Sequence, residues 1–266
     1  MNPRVISALV LRYLFLYTRT PMRLIELIFW PIVELLIWGY LTMFIQQNTH
    51  GDFSRGITFL LGAMICWDVI FRAQQGVAIS FLEDVWTRNL LNVFVAPVRT
   101  TEYLAATFII GFLRICVTVL VLSALSFAFY QFNILALNWT IVPFFGSLLV
   151  TGWALGMIST ALILRWGQAA ESLAWAVPFF IQPFTAAFYP VEVMKPEWVQ
   201  WIALSLPSTH VFEGMRTMLK TGVFDWNHFA WSCGLNVIVL TIAGAIFVAM
   251  LRLTKKRGLL TKFATQ

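Results

Sequence analysis

The stretch EDVWTRNLLNVFVAPVR, residues 83–99, is a charged interruption between two long apolar runs. Read as a helix, it has a polar side and an apolar side. The polar side carries Glu83, Asp84, Thr87, Arg88 and Leu91, and the apolar side carries Val85, Trp86, Leu90 and Val93. Pro97 ends the pattern before the next apolar run begins at Tyr103. The stretch therefore predicts a helix that lies on a membrane surface and offers one face to a cytosolic partner.

The composition places the whole chain in a membrane. Of the 266 residues, 60% are hydrophobic and 11% are charged, whereas soluble domains have roughly half and roughly a quarter. Several runs of 18 or more residues carry almost no charge, and a span needs about 20 such residues. The runs predict six transmembrane helices, at residues 24–45, 57–80, 103–130, 139–164, 172–189 and 229–251.

We expect an all-α integral membrane protein made of one transmembrane domain over residues 1–266. Residues 1–23 are predicted to be an amphipathic interfacial helix, residues 24–252 a six-span bundle, and residues 253–266 a basic cytosolic tail. Two short apolar helices, near residues 197–204 and 208–220, are predicted to lie in the outer leaflet before the last span. They are too short to cross the bilayer.

The N-terminal helix has its four arginines within a wedge of about 100°; they are Arg4, Arg12, Arg19 and Arg23. Such a helix lies in the interface with its arginines toward anionic headgroups, and it lacks the uninterrupted apolar centre of a signal peptide. We expect no cleavage. Twelve Lys and Arg residues flank the spans on one side and four on the other, which predicts cytosolic termini. The expected location is a bacterial inner membrane. This asymmetry explains the basic charge, so nucleic acid is not an expected partner.

Charged residues within the spans are candidate functional sites, because each costs roughly 2.5 to 3.5 kcal/mol on insertion scales unless it is paired or hydrated. Asp68 and Arg72 are four residues apart and can form a helical ion pair. Glu34 and Arg114 lie at a comparable depth in the first and third spans. These groups either line a hydrated path or hold the bundle together by pairing.

Two further features of the spans allow two interpretations each. Glu26, Trp30, Glu34 and Trp38 recur every four residues along one face of the first span, where they contact either substrate or a neighbouring helix. Gly152 and Gly156 suit close helix packing, either between two copies or within one chain.

The fifth span is interrupted around Gln182, a candidate position on the substrate path, by Pro178 and Pro183. The carbonyl groups freed by this break must find partners inside the protein. On the second outer helix, Glu213 and Arg216 suit a local salt bridge. His210 with Glu213 would allow acid–base chemistry on a lipid or sugar hydroxyl, but no nucleophile motif or metal-spaced histidine cluster accompanies them.

The order of these elements resembles the membrane subunit of type-2 ATP-binding-cassette (ABC-2) exporters. The segment after the second span is similar to the family pattern of an acidic residue, a leucine-rich helix, a proline and a polar residue, at Glu83, Leu90, Leu91, Pro97 and Glu102. LPSTHVFEGMRTMLKTG, residues 206–222, is similar to the family's segment before the last span. Many members carry a glycine in the surface helix, as ERELG, where this chain has Arg88 and Asn89.

The resemblance implies a homodimeric permease with two copies of a separate ATPase subunit, and the surface helix would be the coupling helix. The implied coupling residues are Glu83, Asp84, Thr87, Arg88, Leu91 and Pro97. The chain has no GxxxxGK[ST] phosphate loop, so Mg-ATP would bind to the partner and the chain itself would be neither an enzyme nor a cofactor-binding protein.

The expected cargo is an amphipathic or lipid-like molecule that is exported, and a polysaccharide or lipid-linked glycan is the main alternative. Two other classes stay open: a carrier that works without an ATPase, which predicts inverted repeats that the chain does not show, and an intramembrane enzyme that uses His210 and Glu213.

Overall fold

The computed structural model describes residues 1–48, 54–130 and 141–257, and these residues form helices joined by short turns, as predicted, with no strand among them. The α-helices are α1 Pro3–Arg19, α2 Pro21–Asn48, α3 Ser54–Trp86, α4 Leu90–Val95, α5 Thr100–Tyr130, α6 Ile141–Trp166, α7 Glu171–Ile181, α8 Glu197–Leu204, α9 Pro207–Thr221 and α10 Trp226–Lys256. Asn2 caps the start of α1 by accepting a hydrogen bond from the Arg4 N–H. Gly222 ends α9 in a left-handed conformation, with φ of 75°.

Four of the described helices are long and apolar enough to cross a membrane: α2, α5, α6 and α10. The predicted fifth span is not one continuous helix, because α7 ends at Ile181 and a 3₁₀ turn, Gln182–Phe184, follows. The 11 residues of α7 extend only about 16 Å, which is too short for a hydrocarbon core of about 30 Å. Pro183 is the local cause, since proline cannot donate a helical hydrogen bond, whereas α7 continues past Pro178.

The second predicted span corresponds to α3, which is the central helix of the protein. It packs against α5 and α6, and also against α2, α7 and α9. Every side chain from Leu61 to Val85 is buried. Because other helices surround α3, it can carry Asp68, Arg72, Gln74 and Gln75 without exposing them to lipid.

Gly152 and Gly156 allow α6 to approach α3 closely. A Cβ atom on Gly152 would lie 2.4 Å from the Ala73 Cβ, and one on Gly156 would lie 2.7 Å from the Val77 Cβ. Of the two interpretations of this glycine pair, the contacts support packing within one chain.

Candidate functional site

The surface element predicted over residues 83–97 is shorter than expected, because α3 continues to Trp86. Glu83 and Asp84 are therefore part of α3 and are 2% and 1% exposed. The expectation that these two carboxylates lie on an exposed face is wrong. Both face inward because two arginines from the N-terminal segments lie beside them.

The exposed element begins at Thr87 and includes the short helix α4. Thr87 and Arg88 are exposed, as is Pro97, whereas Leu90 and Val93 pack into the protein as their spacing predicts. Leu91 falls within α4. Trp86 differs from the prediction, since its ring is exposed and its indole N–H donates to Glu171 at 3.2 Å.

The turn between α3 and α4 depends on Arg88, which has a left-handed backbone with φ of 54°. The Asn89 N–H donates to the Asp84 carbonyl at 2.9 Å and completes the turn. Glycine adopts this conformation without a steric cost, whereas other residues do so at some cost. A glycine at position 88 would therefore form the same turn without this cost.

Asp84 joins three helices at the end of α3. Its carboxylate forms an ion pair with Arg12 and accepts hydrogen bonds from the hydroxyls of Tyr13, at 2.8 Å, and Tyr103, at 3.1 Å. The backbone N–H of Asn2 also donates to Glu102 on α5, at 2.7 Å. Arg12 thus points into the protein rather than toward headgroups, and α1 is attached to both α3 and α5.

Glu83 lies between two arginines. Its Oε1 is 2.6 Å from the Arg23 Nη1 and 3.7 Å from the Arg114 Nη2. Arg114 also donates to the Gln75 carbonyl at 3.3 Å and lies over the ring of Tyr17, 4.8 Å from its centroid. These contacts bring together α1, α2, α3 and α5 around one carboxylate.

Asp68 and Arg72 form the ion pair that their spacing predicts, with the Arg72 Nε 3.2 Å from the Asp68 Oδ1. Arg72 also donates to the Gln75 side-chain oxygen at 3.0 Å. Arg114, which we expected near this pair, pairs with Glu83 instead. Glu34 on α2 is half-buried and interacts electrostatically with Asp68 and Arg72.

The aromatic stripe on α2 divides into two parts. Trp38 stacks on Phe188, with centroids 4.5 Å apart and rings 10° from parallel, so this tryptophan packs against protein. Trp30 is exposed and lines a cavity. Glu26 is exposed beside the same cavity. Of this stripe, the end with Glu26 and Trp30 is therefore available to a substrate, and Trp38 is not.

The carbonyl groups after the broken helix α7 have partners, as expected from the need to satisfy them. The Gln182 carbonyl accepts from the Thr185 hydroxyl at 2.7 Å, and the Phe184 carbonyl from Thr209 at 3.1 Å. Arg216 donates to the Ala186 and Ala187 carbonyls. Gln182 itself is half-buried, and no described contact links it to the cavity lined by Trp30.

Glu213 has a structural position on α9. It pairs with Arg216 at 2.8 Å and accepts from the Val191 N–H at 2.8 Å. His210 faces His228, with their Nδ1 atoms 3.2 Å apart, and its Nε2 lies 3.0 Å from the Leu204 carbonyl. The arrangement favours the salt-bridge interpretation of Glu213 and Arg216 over acid–base chemistry.

A groove with a cavity of about 110 Å³ runs along one side of α3 and has both charged and apolar side chains in its walls. From α3 it is lined by Arg72, Gln75, Ile79, Glu83 and Trp86, and from other helices by Tyr17, Arg23, Glu26, Leu27, Trp30, Arg114 and Trp175. The α3 positions run from Arg72 to Trp86, which is about 21 Å of helix. We name this cavity and its walls the α3 groove.

Sequence reasoning did not identify Tyr17, Arg23, Gln75 and Trp175 as site residues. They come from four different helices, and only tertiary packing brings them together. One signal was present in the sequence: the α3 residues of the groove recur every three or four positions, which places them on one helix face.

Two comparisons with known proteins place the chain in a family. The ABC-2 type transporter family matches residues 4–220. The chain is also similar to ABC transporter G family member 20 of Dictyostelium discoideum, with 28% identity over 210 residues. That alignment covers 76% of this chain and 27% of the relative, so the chain spans only a fraction of that protein's length. With most of its length matched by the family, the chain belongs to the ABC-2 type transporters and is a multi-pass membrane protein.

Proposed function

We propose that the chain is the permease subunit of an ATP-driven exporter that moves an amphipathic, lipid-like substrate out of the cytoplasm or the inner leaflet. The α3 groove is the observation that carries this proposal. It extends from Trp86, next to the exposed turn at Thr87, to Arg72 in the middle of α3, so it places charged side chains beside apolar and aromatic ones. A substrate with a polar head and an apolar tail fits such a boundary.

The mechanism that we propose couples the turn at residues 87–97 to the central helix. This segment follows α3 directly and begins with the exposed residues Thr87 and Arg88, and α3 is packed between α5 and α6. A helix transmits a displacement along its axis because its backbone is hydrogen-bonded throughout. A partner that pushes on Arg88 and α4 would therefore move the wall of the groove.

The partner in this proposal is an ATPase subunit, present in two copies, that binds Mg-ATP and hydrolyses it. Two copies of the present chain would form a homodimer in a bacterial inner membrane, with both termini cytosolic. In this arrangement α3 is the fifth crossing and α7, together with the residues between α7 and α8, is the sixth, and α8 and α9 lie in the outer leaflet. The surplus of basic residues at one end of the spans supports this orientation.

The proposal is tested by purifying the tagged chain from its native membrane in mild detergent and identifying associated proteins by mass spectrometry. We expect a stoichiometric ATP-binding-cassette subunit. Arg88→Glu should reduce its recovery severalfold, because the exposed Arg88 lies on the proposed contact surface. Lys220→Glu makes the same charge change on the exposed end of α9 and should leave recovery unchanged. Absence of an ATPase from intact preparations would refute the proposal.

A further inference from the structure

Three buried polar atoms in the walls of the α3 groove have no hydrogen-bond partner within the described residues. They are the Nε and Nη2 atoms of Arg114 and the Oε2 atom of Glu83. Arg114 is 6% exposed, yet it lines the cavity. Buried polar atoms in proteins nearly always have hydrogen-bond partners, so these three atoms, on two side chains that line the same cavity, indicate a place for a small polar group.

The charges around the groove nearly cancel. Arg23 and Arg114 both lie beside Glu83, Arg72 is paired with Asp68, and Glu26 is exposed at the edge. Three positive and three negative groups leave no net charge to balance a permanently ionic ligand. A neutral polar ligand therefore suits the groove better than an anion, because a buried charge needs an opposite charge nearby.

The ligand must accept a hydrogen bond from Arg114 and donate one to Glu83. A hydroxyl group can do both with one oxygen atom. The Arg114 Nη2 lies 3.7 Å from the Glu83 Oε1, so the two side chains are close enough for one small group to contact both. A trimethylammonium group has no N–H to donate, and a sulfate has no donor when ionised.

Aromatic rings surround the polar part of the groove. Trp30, Trp86 and Trp175 are 53%, 43% and 37% exposed, and all three line the cavity. Exposed indole rings offer flat apolar faces for stacking, and tryptophan is favoured at the border between water and lipid. The cavity volume of about 110 Å³ is too small for a chain of rings, so at most one ring of a head group lies in it, partly outside against the exposed indoles.

We propose that the α3 groove binds the uncharged, hydroxylated head group of an amphiphile, such as a single glycosyl ring, with one hydroxyl between Glu83 and Arg114. This inference rests on the proposed transport function and names the polar part of its substrate. The tail would lie along Leu27 and Ile79 at the apolar side of the groove.

The test compares three amphiphiles that share an octyl tail. The full chain is placed in phosphatidylcholine nanodiscs, and binding of radiolabelled octyl β-glucoside below its micellar concentration is measured against empty nanodiscs. Octylphosphocholine and octyl sulfate serve as competitors. We expect one saturable glucoside site per chain, and at least tenfold weaker competition by octylphosphocholine and octyl sulfate, whose head groups have no hydrogen-bond donor. Equal or better competition by either one would overturn the proposal.

Substitutions of residues in the walls of the α3 groove test whether the glucoside binds there. Arg114→Met and Glu83→Gln should each weaken glucoside binding at least tenfold. Trp30→Ala should weaken it about fivefold by loss of stacking, and it tests the site even if the buried variants do not fold, because Trp30 is exposed. Trp198→Ala removes an exposed tryptophan on α8 and is the matched control. Full binding by well-folded Arg114→Met, or by Trp30→Ala if the two buried variants do not fold, would overturn the assignment.

The binding assay needs no ATPase, so the two proposals can fail separately. If the chain binds the glucoside but no ATPase ever co-purifies with it, ATP-driven transport is refuted and the head-group site is retained. If an ATPase co-purifies with the chain but the chain does not bind the glucoside, the transport proposal is retained and the head-group proposal is refuted.

Discussion

Arg12 and Asp84 form an ion pair between residues 72 positions apart in the chain. The pair joins α1 to the end of α3, next to the turn that leads to α4. Asp84 is almost fully buried and also accepts hydrogen bonds from two tyrosine hydroxyls. The N-terminal helix is thus attached to the same helix end that we propose to move during transport.

Asp84→Asn should lower the free energy of unfolding by about 2 kcal/mol, because the hydrogen bonds to a charged acceptor become weaker neutral ones. The midpoint of thermal unfolding in detergent measures this effect. Arg88→Ala, at an exposed position four residues later, is the control and should change the midpoint little. Equal midpoints for both variants would show that the ion pair does not hold α1 in place.

Gly152→Ala should destabilise the protein by about 1 to 3 kcal/mol, because the added methyl group overlaps Ala73 and the Ile70 carbonyl. Gly146→Ala is the matched control on the same helix, since a Cβ there meets nothing within 4 Å. Thermal unfolding of the two variants side by side tests the prediction. A similar midpoint for both would mean that α3 and α6 separate easily at this point.

Asp68→Asn should cost about 3 to 5 kcal/mol, because it leaves the buried Arg72 without its opposite charge. The double variant Asp68→Leu with Arg72→Met should recover much of this loss, since apolar side chains of similar volume replace the pair. Thermal unfolding of the single and double variants forms the test. Unchanged stability of Asp68→Asn together with lost transport would place Asp68 in the substrate path.

Arg88→Gly should stabilise the protein by about 1 kcal/mol, because glycine adopts the left-handed backbone of Arg88 without a steric cost. Arg88→Ala removes the same charge but keeps the strained backbone, so the difference between the two variants isolates the conformational effect. Their thermal midpoints measure that difference. A lower midpoint for Arg88→Gly than for Arg88→Ala would contradict the assigned backbone.

The stability of the region around α8 and α9 should fall in mild acid because of His210. Burial lowers the pKa of this histidine from its ordinary value of 6.5, although its hydrogen bond to Leu204 opposes the shift. As the pH falls below about 6.5, the unfolded chain takes up a proton at His210 and the native protein does so only at lower pH. Stability contributed by neutral His210 is therefore present above that pH and is lost on acidification.

His210→Gln tests this prediction, because its amide can still donate to the Leu204 carbonyl. The loss of thermal stability between about pH 7.5 and about pH 5.5 should be smaller for the variant than for the native chain. His228 and Glu213 also interact with His210, so a variant of His228 is a useful second measurement. An identical pH dependence for native and variant chains would assign the acid sensitivity to other groups.

The sequence by itself determined those features that depend on local pattern. Apolar run length predicted helices in a membrane, the spacing of Asp68 and Arg72 predicted their pair, and the two prolines around Gln182 predicted a broken helix with satisfied carbonyls. Each of these follows from helix geometry or from the cost of unpaired backbone groups.

Only the tertiary structure decided which polar residues face the protein. In the pattern of residues 83–99, Glu83 and Asp84 could not be distinguished from Arg88, because burial depends on Arg12, Arg23 and Arg114 from distant segments. The same holds for the α3 groove, whose walls come from α1, α2, α3, α5 and α7. Spacing along one helix determines a face, but contacts between helices determine what that face meets.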